Sequence, residues 1–418
     1  MQRPDKILIL TISLIFTVLI QSLKAGVPVV ETGLEILTNQ KFDILKGKKV
    51  GLITNPTGID HNLRSTIDIL FNSPGVKMVA LFSPEHGVRG DFAAGEQVGT
   101  VIDPITNLPV YSLYGKTRKP TVGMLKGIDI LVYDIQDIGS RSYTYISTLG
   151  LAMEAAAENN IEFLVLDRPN PLGGIRMEGA LTQPGFISFV SQFAIPYVHG
   201  LTVGELATYL NEEGLLKNGV RCKLKVIKMN GWKRNMYFAE TGLPWVPSSP
   251  HIPEMQSTLF YPATGILGEL YVASIGVGYT LPFQLVAAEW MNADSLSQKL
   301  NSLNLPGTIF RPIHYKPYYS VSEGKVVHGV QIHIIDSRIA PLSLIQFYIL
   351  QEAHKLWPDK NVFSMCEKAR LNMFDKVCGT DQIRIEFTKN FSVDSILDLW
   401  TRDIPAFRKR AEKYFLYN

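Results

Sequence analysis

The sequence has few cysteines and almost no excess of charge of either sign. Its three cysteines, Cys222, Cys366 and Cys378, form an odd set without CxxC spacing, which excludes a zinc ribbon and a disulfide framework. A bond between Cys366 and Cys378 in an oxidising compartment and free buried thiols are both compatible with the sequence. The net charge of the 418 residues is only +3, and the cations are scattered. Binding to nucleic acid or to a membrane surface needs clustered cations, so neither is expected.

The common nucleotide-binding and nucleophile motifs are also missing. No GxGxxG follows a predicted strand, and the sequence contains neither GxxxxGK[ST] nor GxSxG. These absences argue against a dinucleotide site, a P-loop and an α/β-hydrolase nucleophile elbow. We therefore expect chemistry without an organic cofactor, and nothing in the sequence implies a stable protein partner.

The one long apolar run lies near the N-terminus, at residues 7–20. Arg3 and Lys6 precede it, and a polar stretch with the small residue Ala25 follows. This order is typical of a secretory signal peptide, which we predict over residues 1–25, so export to the periplasm is expected. An uncleaved anchor is the alternative, although the run is shorter than the roughly 20 residues that a membrane span needs. No cysteine follows the run, so a lipid anchor is not expected.

Short apolar strands alternate with amphipathic helices over the first half of the chain. Strand-like runs lie at residues 48–54, 76–82, 128–135 and 161–167. This alternation predicts an α/β fold, a Rossmann-like doubly wound and mostly parallel sheet, over residues 26–240. The following stretch is rich in Pro and Trp and lacks periodicity, and beyond it helical and strand-like runs are mixed. We predict a smaller α+β domain over residues 241–418 that closes a cleft.

Polar residues follow every predicted strand of the first domain. Parallel strands end at one edge of their sheet, and ligands of open parallel sheets bind beyond that edge. The candidates are Asn55 after the first strand, Glu85 and His86 after the second, Asp134, Gln136, Asp137 and Arg141 after the third, and Asp167, Arg168 and Asn170 after the fourth. Each has a structural alternative, such as an ordinary ion pair or a turn, but four polar strand ends together indicate a site.

Glu85 is the first choice among these residues for a catalytic role. It follows the apolar run at residues 78–82, so its carboxyl should lie on a floor partly withdrawn from water, as suits a general acid. A metal site made from Glu85, His86, Asp134 and Asp167 is a weaker alternative, because the spacing does not demand one. We assign no metal ligand.

Five motifs, in order, resemble one family. They are SPEHGVRG, LPVYSLYG, DIQDIGSRSYTY, LDRPNP and HGLTVGELA, and the likeness runs from about Gly33 to Ala288. The family is the NamZ-type exo-β-N-acetylmuramidases of glycoside hydrolase family 171, long catalogued as domain of unknown function 1343. The resemblance implies a Rossmann-like domain and a smaller C-terminal domain with the active cleft between them. It also implies release of N-acetylmuramic acid from the non-reducing ends of peptidoglycan fragments, with the family glutamate at Glu85.

Glycoside cleavage needs a proton donor at the leaving oxygen and a group that receives the developing cation. We predict Glu85 as the acid, with His86 setting its orientation or charge. Asp134, Asp137 and Asp167 are the candidates for the second role. Retaining, inverting and substrate-assisted routes all stay open, the last because the acetamido oxygen of the sugar can itself act as nucleophile.

Binding residues are predicted from the chemistry of muramic acid. Its lactyl carboxylate needs a cation, for which Arg89, Arg141 and Arg168 are candidates. Tyr143 and Trp245 are candidates for stacking on a sugar face, and the other strand-end residues Asn55, Gln136 and Asn170 for hydrogen bonding.

The chain departs from the family in the wall expected to close the cleft. The family stretch WVPPSPNMP reads WVPSSPHIP at residues 245–253, with His251 in place of asparagine. A second stretch keeps Glu269 but replaces polar or charged family residues with Val272, Val277, Tyr279 and Gln284. His251 and Glu269 join the predicted binding residues. The replacements support a second hypothesis, in which the chain is a non-catalytic or altered-specificity relative that binds muropeptides.

Overall fold

The computed structural model describes residues 30–90 and 101–418. The signal peptide predicted over residues 1–25 lies outside the described residues. Within the described ranges, no helix combines the length and apolar character needed to cross a membrane.

The first sheet has seven strands in the order β3-β4-β2-β1-β5-β6-β7. Its strands are β1 (Lys49–Thr54), β2 (Lys77–Ser83), β3 (Val101–Ile102), β4 (Pro109–Ser112), β5 (Ile130–Asp134), β6 (Glu162–Leu166) and β7 (Lys223–Ile227). Every neighbouring pair is parallel except β3 with β4. The chain builds the sheet outward from β1 in one direction, then returns to place β5 on the other side of β1. The predicted doubly wound, mostly parallel sheet is confirmed.

The helices of the structure are mostly short. They are α1 (Gly33–Asn39), α2 (Thr66–Phe71), α3 (Val122–Leu125), α4 (Tyr145–Glu158), α5 (Val203–Glu212), α6 (Ser257–Gly268), α7 (Ala293–Ser302), α8 (Ile345–Leu356), α9 (Val362–Met365), α10 (Lys368–Cys378), α11 (Gln382–Asn390), α12 (Asp394–Thr401) and α13 (Ile404–Ala411). At the start of α5, Thr202 and Glu205 form the capping box that their spacing predicts.

Alternation along the central strands gives the first sheet an apolar layer on each face. On β5, Ile130 and Val132 belong to the cluster that contains α1 and α2, whereas Leu131 and Tyr133 belong to the cluster that contains α4 and α5. Successive strand residues point to opposite faces, so a fully apolar strand needs helices on both sides. This packing holds the carboxyl ends of β1, β2, β5 and β6 at one edge.

The second sheet has three antiparallel strands in the order β8-β10-β9. They are β8 (Leu285–Ala288), β9 (Thr308–Tyr315) and β10 (Val327–Ile334). Residues of α6, α7 and α8 pack on it, and together they belong to the largest apolar cluster within the described residues. The predicted α+β character of the C-terminal part is confirmed, while the boundary at residues 240 and 241 stays a prediction.

The structure corrects the sequence interpretation at one strand and decides between the two alternatives for the cysteines. The stretch at residues 103–115, which reads as a loop, contains β4, and Val110 of that strand pairs with Leu81 of β2. Four residues opened by Pro109 are too short to show a strand pattern. All three cysteines, including Cys366 and Cys378, are free thiols.

Candidate active site

One open cleft of about 640 Å³ lies where the edge of the first sheet faces the C-terminal part of the chain. We call it the Glu85 cleft. Its lining residues are Glu85, His86, Tyr114, Arg118, Ser142, Tyr143, Thr144, Tyr145, Ser188, Phe189, Val190, Ser249, His251, Ile252, Tyr261, Glu269, Tyr271, Val277, Phe283, Met373 and Lys376. A few hundred cubic ångströms with mixed aromatic and polar lining is the usual character of a small-molecule site.

Glu85 and His86 lie in the turn that follows β2. The strand itself is buried between β1 and β4, and both side chains become half-buried as the chain leaves it. His86 adopts a φ of 75° and Gly87 a φ of 81°. A non-glycine residue in this left-handed region is uncommon, and such conformations concentrate at functional sites. The turn thereby presents both side chains to the cleft.

Tyr114 is the immediate neighbour of Glu85. Burial raises the pKa of Tyr114 to about 12, and the charge of Glu85 and a side-chain hydrogen bond with it add to the rise. The phenol therefore stays protonated and donates to the Glu85 carboxylate. This bond fixes the carboxyl from the side of the loop that follows β4.

Three tyrosines make up the floor beside Glu85. The ring of Tyr143 meets those of Tyr145 and Tyr261 edge-on, at centroid distances of 4.7 and 5.7 Å. The Tyr143 and Ser248 hydroxyls are 2.9 Å apart, and Tyr145 donates to the Ser248 carbonyl. Burial raises the pKa of Tyr143 to about 12 and that of Tyr145 further, so all of these phenols act as neutral hydrogen-bonding groups.

His251 brings the Pro-rich segment to the same place. Its Nε2 lies 2.7 Å from the hydroxyl of Tyr319, in the hairpin between β9 and β10. Burial lowers the pKa of His251, His86 lowers it further, and the charge of Glu85 opposes both effects. The chain thus places two imidazoles and one carboxylate in one electrostatic group.

Glu269, at the end of α6, lines both the cleft and a side cavity of about 220 Å³ that opens from it. Burial raises the pKa of Glu269, and the guanidinium of Arg370 partly opposes the rise. Arg370 itself lies 3.5 Å from the centroid of the Tyr271 ring. Glu269 is the second carboxyl group that lines the cleft in the described part of the chain.

Asp134 and Arg168 lie away from the Glu85 cleft. Arg168 donates from Nε to Oδ1 of Asp134 at 2.5 Å and from Nη2 to Oδ2 at 3.0 Å, and it also binds the carbonyl of Ile59. Asp134 is fully buried and Arg168 is 5 % exposed. With Gln136 and Trp245, Arg168 borders a separate small cavity. The ion pair of Asp134 and Arg168 joins the carboxyl ends of the neighbouring strands β5 and β6.

Asp167 is likewise occupied inside the protein. Its carboxylate accepts hydrogen bonds from the backbone of Gly204 at 2.7 Å and from the hydroxyls of Thr202 at 2.8 Å and Tyr417 at 2.5 Å. Desolvation raises its pKa to about 7, against these bonds. The side chain anchors the start of α5 and the C-terminal segment to β6.

Asp137 is buried behind the tyrosine floor. Its Oδ2 accepts from the backbone of Gly139 at 2.7 Å and lies 3.5 Å from Nε2 of His199. Nδ1 of His199 accepts from the backbone of Leu201, so a neutral ring carries its proton on Nε2, toward Asp137. The charge of Asp137 contributes to the raised pKa of Tyr143.

The remaining predicted binding residues are also engaged within the fold. Arg141 is fully buried and donates to the carbonyls of Ala180, Ile195 and Val377. The others are held by neighbouring groups: Arg89 by Asp103, Asn55 by Thr57, Gln136 by the carbonyl of Pro169, Asn170 by the carbonyl of Leu201, and Trp245 by the carbonyl of Ile252.

The structure therefore brings five of the predicted residues to one cleft. They are Glu85, His86, Tyr143, His251 and Glu269. It does not bring Asn55, Arg89, Asp134, Gln136, Asp137, Arg141, Asp167, Arg168, Asn170 or Trp245 to its lining. The catalytic and binding roles of all fifteen stay predictions.

Arg118, Phe189 and Lys376 are among the lining residues that sequence reasoning did not select. Arg118 and Lys376 carry the cationic groups of the cleft, and Phe189 packs between Arg118 and Tyr114. Single surface cations and a phenylalanine outside any motif give no local signal. Only the position of Arg118, four residues after Tyr114 of the YSLYG motif, could have drawn attention to it.

No three His, Cys, Asp or Glu side chains among residues 30–90 and 101–418 are grouped so that they could hold a metal ion. The four residues weighed for such a site divide between the cleft, which holds Glu85 and His86, and the internal bonds of Asp134 and Asp167.

Comparisons with known proteins match nearly the whole described chain. The model for the N-terminal part of exo-β-N-acetylmuramidase NamZ matches residues 50–256, and the model for its C-terminal part matches residues 259–417. The peptidoglycan β-N-acetylmuramidase NamZ of Bacillus subtilis (strain 168) is 44% identical over 390 residues, which cover 93% of this chain and 92% of that protein.

Two crystal structures of DUF1343 family proteins from Bacteroides fragilis NCTC 9343 share the fold. One is 57% identical with a TM-score of 0.90, and the other is 29% identical with a TM-score of 0.74. Each comparison covers 93% of this chain and 99% of the other. By these matches the chain is a glycosidase that belongs to the exo-β-N-acetylmuramidase NamZ family.

Proposed function

We propose that this protein hydrolyses peptidoglycan fragments from their non-reducing ends and releases N-acetylmuramic acid. The observation that carries the proposal is the half-buried Glu85, hydrogen-bonded to Tyr114 in a cleft large enough for sugar rings. The Bacillus subtilis relative is a peptidoglycan β-N-acetylmuramidase, which supports the same substrate class here.

In the proposed reaction Glu85 is the proton donor. Its proton passes to the glycosidic oxygen as the bond from that oxygen to the anomeric carbon breaks, and the leaving sugar departs as an alcohol. Water then adds to the anomeric carbon and gives up a proton to the Glu85 carboxylate, which restores the acid for the next turnover. His86 and Tyr114 hold Glu85 in position.

The second role falls to Glu269 or to the substrate itself. Asp134 and Asp167 are fully buried and hydrogen-bonded away from the cleft, whereas Glu269 lines it. Its raised pKa disfavours the ionised form, so it suits a hydrogen bond to the acetamido group better than nucleophilic attack. We therefore favour the substrate-assisted route, in which the acetamido oxygen receives the developing cation.

A change of substrate preference is the second candidate function. Val277 lines the cleft where the family has arginine. The ring of Tyr279 packs on that of Tyr315, with centroids 4.6 Å apart, where the family has a small polar group. An apolar wall at this place favours a substrate with a less polar group than the family's usual ligand.

Product analysis with defined disaccharides tests the proposal. Muramyl-glucosamine and glucosaminyl-muramic acid, both N-acetylated and β-linked, contain the same sugars in opposite order. We expect free N-acetylmuramic acid from the first and no cleavage of the second, as detected by mass spectrometry. Cleavage of both, or of the second alone, contradicts an exo-muramidase and supports a changed specificity.

We also propose that the protein is exported to the periplasm. Support comes from the basic residues Arg3 and Lys6, the apolar run at residues 7–20 and the small residue Ala25. N-terminal sequencing of the protein recovered from a periplasmic extract should begin just after Ala25. Recovery of chains that start at Met1 from the cytoplasm contradicts the proposal.

A further inference from the structure

The cations that sequence reasoning assigned to the substrate carboxylate are committed elsewhere. Arg168 neutralises Asp134, Arg89 pairs with Asp103 at 2.6 Å, and Arg141 is fully buried among carbonyl groups. A guanidinium in such a position would have to break internal bonds to reach a ligand, and a buried charge left without partners costs several kcal/mol. The carboxylate of muramic acid therefore needs another partner.

Arg118 has the properties that those three lack. It lines the Glu85 cleft and is exposed, and it forms no ion pair with any residue in the described ranges. Its Cζ lies 4.5 Å from the centroid of the Phe189 ring. Stacking on an aromatic face orients the planar guanidinium while leaving its in-plane donors available for a carboxylate.

Arg118 and Glu85 line the same wall of the cleft. Phe189 also packs on Tyr114, with ring centroids 6.3 Å apart, and Tyr114 is hydrogen-bonded to Glu85. The positive charge of Arg118 acts on the Tyr114 phenol as well. Along this wall, the side chains of Tyr114 and Phe189 thus connect Glu85 to the guanidinium of Arg118.

Lys376, on α10, is the second cation of the cleft. It is exposed and, like Arg118, has no ion-pair partner among residues 30–90 and 101–418. It comes from the C-terminal part of the chain, so the two cations belong to different parts of the fold. An ammonium attracts an anion as a point charge, whereas an arginine fork fixes its orientation.

We propose that Arg118 binds the lactyl carboxylate of N-acetylmuramic acid in the Glu85 cleft, with Lys376 adding long-range attraction. This inference rests on the proposed function and assigns the residue that distinguishes muramic acid from glucosamine, since the two sugars differ by that lactyl group. Arg118 is a specificity residue, separate from the groups that move protons.

The test compares two chromogenic substrates and two variants. The substrates are para-nitrophenyl β-N-acetylmuramide and the same compound with its lactyl carboxylate converted to a carboxamide. The variants are Arg118→Gln and, as a matched control, Lys116→Gln, which removes an exposed cation of the same loop that does not line the cleft. Circular dichroism checks the fold of each.

We expect Arg118→Gln to lower kcat/KM for the muramide about 10- to 100-fold, mainly through KM, because a hydrogen-bonded charge pair is lost. The same variant should change kcat/KM for the carboxamide by less than about 3-fold, and Arg118→Lys should recover part of the loss. Lys116→Gln should resemble the wild type on both substrates. Equal losses on both substrates, or no loss on either, overturn the proposal.

A muramyl substrate whose carboxyl is linked to a dipeptide separates two sources of the carboxylate. In this substrate the lactyl carboxyl is an amide, and the free carboxylate belongs to the dipeptide. Arg118→Gln should therefore have little effect on its kcat/KM. A large effect confined to that substrate assigns Arg118 to the peptide and overturns the proposal.

Failure of the proposed function gives a different pattern. If the wild type releases nitrophenol from neither substrate, that function fails, and calorimetry with free N-acetylmuramic acid decides the inference. Binding that Arg118→Gln weakens, with no such loss for Lys116→Gln, supports the assignment. Equal binding by both variants, or no binding by the wild type, overturns it.

Discussion

The guanidinium of Arg168 holds both carboxylate oxygens of Asp134, at 2.5 and 3.0 Å, and both side chains are buried. We predict that Arg168→Ala lowers the free energy of unfolding by about 3–5 kcal/mol, because it leaves a buried charge without a partner. Urea unfolding followed by circular dichroism measures the change. Arg221→Ala is the matched control, since Arg221 pairs with the exposed Glu212 at 3.5 Å and should cost about 1 kcal/mol or less. Similar losses in both variants contradict a structural pair.

The buried carboxyl of Asp167 predicts a specific pH dependence of stability. Its folded-state pKa of about 7 lies above the ordinary value of 3.8, so the folded protein holds the proton more tightly than the unfolded chain. This contribution is complete below about pH 4 and is lost as the pH rises to about 7. Relative to Asp167→Asn, the wild type should therefore lose on the order of 1–3 kcal/mol between pH 4.5 and pH 7.5. Unfolding at both pH values tests this, and a difference that is constant or grows in favour of the wild type contradicts it.

The wall opposite Glu85 depends on a glycine with no room for a side chain. Gly278 has a φ of 86°, and a Cβ there would lie 2.0 Å from the carbonyl oxygen of Tyr319, the residue that contacts His251. We expect Gly278→Ala to displace the hairpin and to lower both the melting temperature and kcat/KM. Gly324→Ala, in the same hairpin at a φ of 71° but with open space around it, carries only the backbone penalty of about 1 kcal/mol. If Gly278→Ala and Gly324→Ala lower kcat/KM equally, the clash with Tyr319 is not the cause of the loss.

The hydroxyl of Tyr114 is expected to position Glu85. We predict that Tyr114→Phe lowers kcat about 10-fold without changing the unfolding midpoint, since it removes one hydrogen bond to a charged group. Tyr111→Phe is the control, because Tyr111 packs on Phe82 outside the cleft lining. Steady-state rates on the muramide measure the difference, and a wild-type kcat in Tyr114→Phe removes the positioning role.

Much of this fold follows from local pattern. The alternation on β5 and the capping box at Thr202 each depend on a few neighbouring residues, so the sequence alone indicates both. The sequence does not indicate β4, because its four residues carry too little periodicity. Its pairing with β2 joins segments that are distant in sequence, so no local pattern reveals it.

The site was harder to predict because polar strand ends have two uses. They can line a cleft, as Glu85 does, or satisfy buried groups of the fold, as Asp134 and Asp167 do. The partners that distinguish the two uses are distant in sequence: Arg141 donates to Val377, and Asp167 accepts from Tyr417. No local motif records such contacts. Arg118 and Lys376 show the reverse case, since both line the cleft and neither has an ion-pair partner among the described residues.

The central claim is that Glu85 supplies the proton for glycoside cleavage. The most direct measurement is the rate of nitrophenol release from para-nitrophenyl β-N-acetylmuramide by the wild type, by Glu85→Gln and by Glu254→Gln, whose exposed carboxyl does not line the cleft. We predict that Glu85→Gln lowers kcat/KM at least about 100-fold with its fold intact, while Glu254→Gln keeps the wild-type value. Turnover by Glu85→Gln within a few-fold of the wild type would contradict the assignment.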